Sequence, residues 1–146
     1  MSDVHLSFAS IITDDIVGLS NFYADLLDLE EVVSLRSEHF RGLALGETIL
    51  GFSTPKAYEL LNLRAPADAS GTAQFLTFEV PTEPEVDTLT AAATAAGAQC
   101  VTPPQRTYYG AWQSVLLDPK GNAFRVNHLG GDHLGSAPHG VDDDSV

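Results

Sequence analysis

Leu6 to Thr13 is a short apolar run with Ser7 and Ser10 interspersed, the pattern of a strand. Thr13, Asp14 and Asp15 then offer side-chain oxygens and negative charge for a helix start. Ile16, Leu19, Phe22, Tyr23, Leu26 and Leu27 follow at helical spacing. Three strands are predicted next, over Glu31 to Arg36, Phe40 to Leu45 and Thr48 to Phe52, with a turn at Gly46-Glu47 between the last two. Pro55 to Ala73 is a connector in which Tyr58, Leu60, Leu61 and Leu63 suggest a short helix.

The order then recurs. Gln74 to Val80 reads as a strand. Thr82 and Glu85 form a capping-box pair with Pro84 in the first turn. Val86, Leu89, Ala93 and Ala96 mark a helix face that Gly97 ends. Cys100-Val101 is expected as a short strand broken by Pro103-Pro104. Ala111 to Leu117 and Ala123 to His128 form a hairpin across Asp118-Pro119-Lys120-Gly121, a type I turn sequence. At an offset of 67 residues Phe8 falls on Phe75, Leu19 on Val86 and Phe22 on Leu89. A repeat of that length implies two supersecondary units sharing one core. After Gly130 apolar periodicity stops, and residues 131–146 are expected to be a flexible acidic tail.

Composition and charge narrow the function. The chain has 146 residues, 44% hydrophobic and 18% charged, which suits one globular domain over residues 1–130. The formal net charge is −13. With so few basic residues there is no footprint for nucleic acid. The acidity either favours cationic ligands or serves only solubility. Cys100 is alone, so no internal disulfide can form, and it reads as inert core. No signal peptide and no membrane span is evident, so a cytoplasmic protein is expected.

"SIITDDIVGLSNFYADLLDLE", "FLTFEV", "YGAWQSVLLDP" and "VLLDPKGNAFRV", in that order, resemble the vicinal oxygen chelate superfamily of glyoxalases, bleomycin-resistance proteins and extradiol dioxygenases. The likeness spans roughly Leu6 to Leu129. It implies an α+β fold of two βαβββ modules, about 4–54 and 74–129 with the connector 55–73 between them. Their mixed sheet would curve around a cavity, and the protein would be a homodimer. It also implies a metal held by a His on the first strand of each module and a Glu on the final strand. The matching positions here are Phe8, Phe75 and Arg125. Neither Phe can bind a metal, and Arg125 is a permanent cation. No metal or cofactor is therefore expected, and the resemblance is nearest in kind to the metal-free drug-binding resistance proteins.

Replacing His by Phe turns the expected cavity aromatic. Strand alternation places Phe8, Ser10 and Ile12 on one face and Phe75, Thr77 and Glu79 on another. Phe40, Phe52, Tyr108, Tyr109 and Trp112 are further aromatic candidates, and His39 is a spare polar group. For Trp112 a place in core or interface competes evenly with cavity lining. Arg125 has two open roles. It can pair with Glu79, or donate hydrogen bonds to a ligand carbonyl, phenolate or carboxylate.

The leading expectation is a non-catalytic protein that sequesters a small aromatic or amphipathic compound, in particular an antibiotic. The alternative is a lyase, isomerase or dioxygenase with a shifted or absent metal site. Glu79, His39, Tyr109 and Arg125 would then be its acid–base or electrophilic groups. A third reading is a module that only dimerises.

Overall fold

In a computed structural model the described residues are 2–68 and 70–130. The chain divides into two compact units, Met1–Ser70 and Gly71–Val146. The boundary falls inside the connector. Each unit is a sheet with one long helix packed on it, so the α+β class and the plan of βαβββ modules hold, complete in the second unit and with one strand of the first reduced to a single bridge. The expected tail lies outside the described residues.

In the first unit, β1 (Phe8–Ile12) leads into helix α1 (Ile16–Leu27). Asp15 caps the helix, its carboxylate accepting from the Gly18 N–H at 2.9 Å. Strands β2 (Phe40–Leu45) and β3 (Thr48–Ser53) form a hairpin, and the sheet order is β1-β3-β2 with β1 parallel to β3. The hairpin has a two-residue loop, in which Gly46 supplies a φ of +60°. Ile16, Leu19, Phe22 and Tyr23 of α1 bury against Leu43, Leu50 and Phe52. Helix α2 (Lys56–Leu60) stands in the connector, as its leucines suggest.

The strand expected over Glu31 to Arg36 does not form. Val33–Leu35 is a 3-10 turn, and a single bridge joins Glu31 to Leu43. The Glu31 carboxylate instead accepts from Arg36 at 2.6 and 2.9 Å, which closes the segment on itself.

The second unit repeats the plan. Strand β4 (Leu76–Glu79) is followed by helix α3 (Glu83–Ala95), which Thr82 caps in partnership with Glu85. Thr82 Oγ1 accepts from the Glu85 N–H at 3.3 Å and donates to the Glu85 carboxylate at 2.8 Å. Strands β5 (Gln99–Arg106), β6 (Trp112–Leu117) and β7 (Ala123–His128) complete a sheet of order β4-β7-β6-β5. The β6–β7 turn closes through Gly121 N–H to Asp118 C=O at 2.8 Å. Val86, Thr90 and Ala93 of α3 are buried on the sheet, with Ser114, Leu116, Phe124 and Val126 among their core partners. Inside that core the Thr90 and Ser114 hydroxyls hydrogen-bond at 2.7 Å.

Pro103 and Pro104 do not break the chain here; both lie within β5, which runs the full eight residues. The reason is position. Strand β5 is the end strand of its sheet, where a missing N–H is tolerated, and its pairing with β6 shifts register across the prolines.

Candidate ligand-binding site

The two faces of the second sheet have opposite chemistry. Trp112 and Ser114 on β6 point to α3, because Trp112 Nε1–H donates to Asp87 and Ser114 meets Thr90. Alternation then sends Gln113, and on the paired strands Arg125, Asn127, Thr77 and Glu79, to the face turned away from the helix.

On that face the polar side chains form one connected chain. Arg125 Nε–H donates to Thr77 Oγ1 at 2.9 Å, and its guanidinium carbon lies 4.8 Å from the centre of the Phe75 ring. A longer contact of 3.5 Å runs from Arg125 to the Tyr109 hydroxyl. Gln113 Nε2 donates to that same hydroxyl and to Asn127 Oδ1, both at 2.9 Å. Asn127 Nδ2 donates to Glu79 Oε1 at 2.9 Å, and the Leu129 N–H donates to Glu79 Oε2 at 2.6 Å. Gln113 and Asn127 are buried; Phe75 is 53% exposed. The Glu79 carboxylate is thus engaged by Asn127 and by backbone, and Arg125 takes a hydroxyl and an aromatic ring as its partners.

Gln113 and Asn127 are the members that sequence reasoning missed. The signal for Asn127 was present: it lies two residues beyond Arg125 on the same strand, and so shares its face. Gln113 is found only through its pairing with Asn127 across β6 and β7.

The first unit carries an aromatic surface of its own. Phe8 and Phe40 meet edge to face with centroids 6.1 Å apart. The Phe40 ring lies over two glycines, so that a Cβ on Gly51 would sit 2.7 Å from it and one on Gly42 2.9 Å. Ser10 shares this face, its hydroxyl 2.9 Å from the same Gly51 Cβ position. His39 is tied to Thr54 Oγ1 at 2.9 Å and to the Glu38 carboxylate at 3.2 Å.

Two sequence candidates lie elsewhere. Phe52 is fully buried on the helix side of its sheet, stacked on Tyr23 of α1 at 5.7 Å. Trp112 is fixed to α3 by its bond to Asp87, and Arg106 lies 5.0 Å from its ring centre. Arg106 also forms an ion pair with Glu83 at 2.6 Å. The hydrogen bond from Arg106 holds the Glu83 carboxyl below its ordinary value of 4.5. Tyr108 is 95% exposed, with its ring against Tyr109 at 5.0 Å.

The three positions that match metal ligands do not suit a divalent ion. Phe8 and Phe75 carry no donor atom, and Arg125 is cationic and already bonded to Thr77. Among the described residues no group of three or more His, Cys, Asp or Glu converges. No helix of the described residues is long and apolar enough to cross a membrane.

Comparison with known proteins agrees with this architecture. The model of the Glyoxalase/Bleomycin resistance protein/Dioxygenase superfamily matches residues 5–126. A glyoxalase/bleomycin resistance protein/dioxygenase family enzyme from Burkholderia phytofirmans PsJN is 43% identical with a TM-score of 0.82, over 86% of this chain and 99% of that one. A lactoylglutathione lyase from Agrobacterium tumefaciens is 22% identical, TM-score 0.67, over 90% of this chain and 96% of the other. TioX from Micromonospora sp. ML1 is 16% identical, TM-score 0.62, over 86% and 99%. The last two show the fold alone. No curated protein matches the chain.

Proposed function

Because the chain belongs to the glyoxalase/bleomycin resistance protein/dioxygenase superfamily, we propose that it uses this fold to bind a small aromatic or amphipathic molecule without transforming it. The observation that carries this reading is the Phe75–Arg125 stack beside Tyr109. At two positions where relatives of this type place metal ligands, this chain has instead a half-exposed ring and a cation fixed against it. That is a surface for stacking and hydrogen bonding, with no Lewis acid. The Phe8–Phe40 pair gives the first unit an aromatic face of the same kind. Sequestration of an antibiotic is the biological role that such binding would serve, in a cytoplasmic homodimer.

The name of the Burkholderia relative, a family enzyme, supports a second reading in which the bound molecule is turned over. Glu79, Tyr109, Arg125 and His39 would then supply acid–base or electrophilic groups. Against it, the Glu79 carboxylate already accepts two hydrogen bonds and His39 is held by Thr54 and Glu38.

A thermal-shift screen against aromatic natural products, followed by calorimetric titration and analysis of the recovered ligand, separates the two. A ligand at 100 times its Kd adds about 2.7 kcal/mol of stability. Stoichiometric binding with the ligand recovered unchanged supports sequestration. Catalytic formation of product overturns it.

A further inference from the structure

The hydrogen bonds on the face of the second sheet turned away from α3 have a direction, and that direction fixes what kind of ligand atom the face accepts. It starts at Glu79. A carboxylate can only accept, so the Asn127 amide must present its NH2 group to Glu79 Oε1, 2.9 Å away. Asn127 Oδ1 is thereby turned to Gln113 and accepts from its Nε2 at 2.9 Å. The Gln113 amide is oriented in turn, and its second N–H donates to the Tyr109 hydroxyl at 2.9 Å. The amide orientations, which alone would be interchangeable, are therefore set by one carboxylate two links away.

Tyr109 is the end of this chain. A phenolic hydroxyl has one hydrogen to give and two lone pairs. Its oxygen accepts from Gln113 and lies 3.5 Å from an Arg125 N–H, a weak second donor. Among the described residues the Tyr109 hydroxyl makes no hydrogen bond as a donor. Arg125 uses Nε on Thr77 and has guanidinium N–H groups beyond that bond. Two uncommitted donors, a hydroxyl and a guanidinium, thus stand together beside the half-exposed Phe75 ring.

We propose that this face selects a planar aromatic molecule bearing an oxygen acceptor (a carboxylate, phenolate or carbonyl), with Tyr109 and Arg125 as its donors and Glu79, Asn127 and Gln113 as positioning residues. The inference rests on the aromatic-binding reading given above and narrows it to one ligand chemistry. It also runs against the bulk charge of −13, which by itself favours cations. Local donors decide the matter, because surface charges farther than about 8 Å are screened at physiological salt while a contact hydrogen bond is not.

The test is calorimetric titration with 2-naphthoate and with 2-naphthylmethylammonium, two ions of similar shape and opposite acceptor character, at physiological salt. The expected result is that naphthoate binds at least tenfold tighter. Tyr109→Phe, which keeps the ring and removes only the hydroxyl, should weaken naphthoate about tenfold and leave the ammonium ion unchanged. Glu79→Gln, which no longer dictates the amide orientation, should weaken naphthoate in the same direction with the melting temperature retained. Adding Tyr109→Phe to Glu79→Gln should cost naphthoate little more, since both act through one hydroxyl. Equal binding of the two ions, or a Tyr109→Phe protein with full naphthoate affinity, overturns the acceptor preference. If both ions bind equally and both are lost in Phe75→Ala, the aromatic site survives and only its selectivity falls. If neither binds, the aromatic site falls with it.

Discussion

Arg125, on the strand paired with β4, lies over the ring of Phe75, the residue that leads into β4, with 4.8 Å between guanidinium carbon and ring centre. The pair is partly open to solvent, so its worth to the folded chain is small: a cation over an exposed ring contributes about 0.5–1 kcal/mol. Phe75→Ala should accordingly shift the unfolding free energy by no more than about 1 kcal/mol. The same substitution should weaken aromatic ligands about tenfold. Chemical denaturation and calorimetric titration of one preparation check both halves. A large stability loss with intact binding would mean that the ring is structural.

Phe52 should behave in the opposite way. It has no exposed surface and stacks on Tyr23, so Phe52→Ala leaves a cavity between sheet and helix. The expected cost is about 3–5 kcal/mol, read from urea unfolding. Any loss of ligand affinity should follow the unfolded fraction alone.

Gly51 is held small by Phe40. A methyl group there would sit 2.7 Å from the ring, inside contact distance, so Gly51→Ala should destabilise by about 1–3 kcal/mol. Phe40→Leu in the same chain should recover part of that loss. A double-mutant cycle measures the coupling, and simple additivity would show that the ring does not rest on the glycine.

The Arg106–Glu83 ion pair carries a pH signature. Glu83 has a carboxyl lowered below 4.5 in the folded chain by the hydrogen bond from Arg106. A group lowered on folding adds stability above its unfolded value, and that stability is lost as the pH falls through the folded one. The melting temperature should therefore decline as the pH drops below about 4.5. Arg106→Gln should make that decline shallower. The Glu31–Arg36 pair, lowered by the same kind of hydrogen bond, remains as an internal reference. Both pairs are exposed, and molar salt should reduce the effect.

Divalent metals offer a further check. Zinc, nickel or magnesium at millimolar concentration should leave the melting temperature and the ligand affinity unchanged, and a chelator should do the same. A metal-dependent rise in either would point to donors that Phe8, Phe75 and Arg125 cannot supply.

Where local chemistry decides the structure, the sequence was readable. The capping pair Thr82–Glu85 and the turn at Asp118 to Gly121 need only their own residues, and both stand where their pattern puts them. Segments settled by distant partners were not readable. Val32 and Val33 look strand-like, but Glu31 closes onto Arg36 and leaves a 3-10 turn. The prolines of β5 read as a break, because edge position is a property of the finished sheet and not of the segment. The candidate site divides in the same way. Thr77 and Glu79 share a face by simple alternation, and the β4–β7 register adds Arg125 to it. Phe52 and Phe40 read alike as aromatic candidates in the sequence, but the hairpin pairs Phe40 with Ser53 and so puts the neighbouring Phe52 on the helix side. Gln113 and Asn127 carry no signal by composition, because an amide alone points to no chemistry; only the directed bonds around them give them a role.

The two prolines also have a consequence for molecules in a crowd. An eight-residue strand at the rim of a sheet is a template on which another chain can lay its own backbone. Pro103 and Pro104 interrupt the row of amide hydrogens that such docking needs, and the register shift beside them bends the rim. A second copy brought against β5 therefore meets no unbroken row of amide hydrogens with which to extend the sheet.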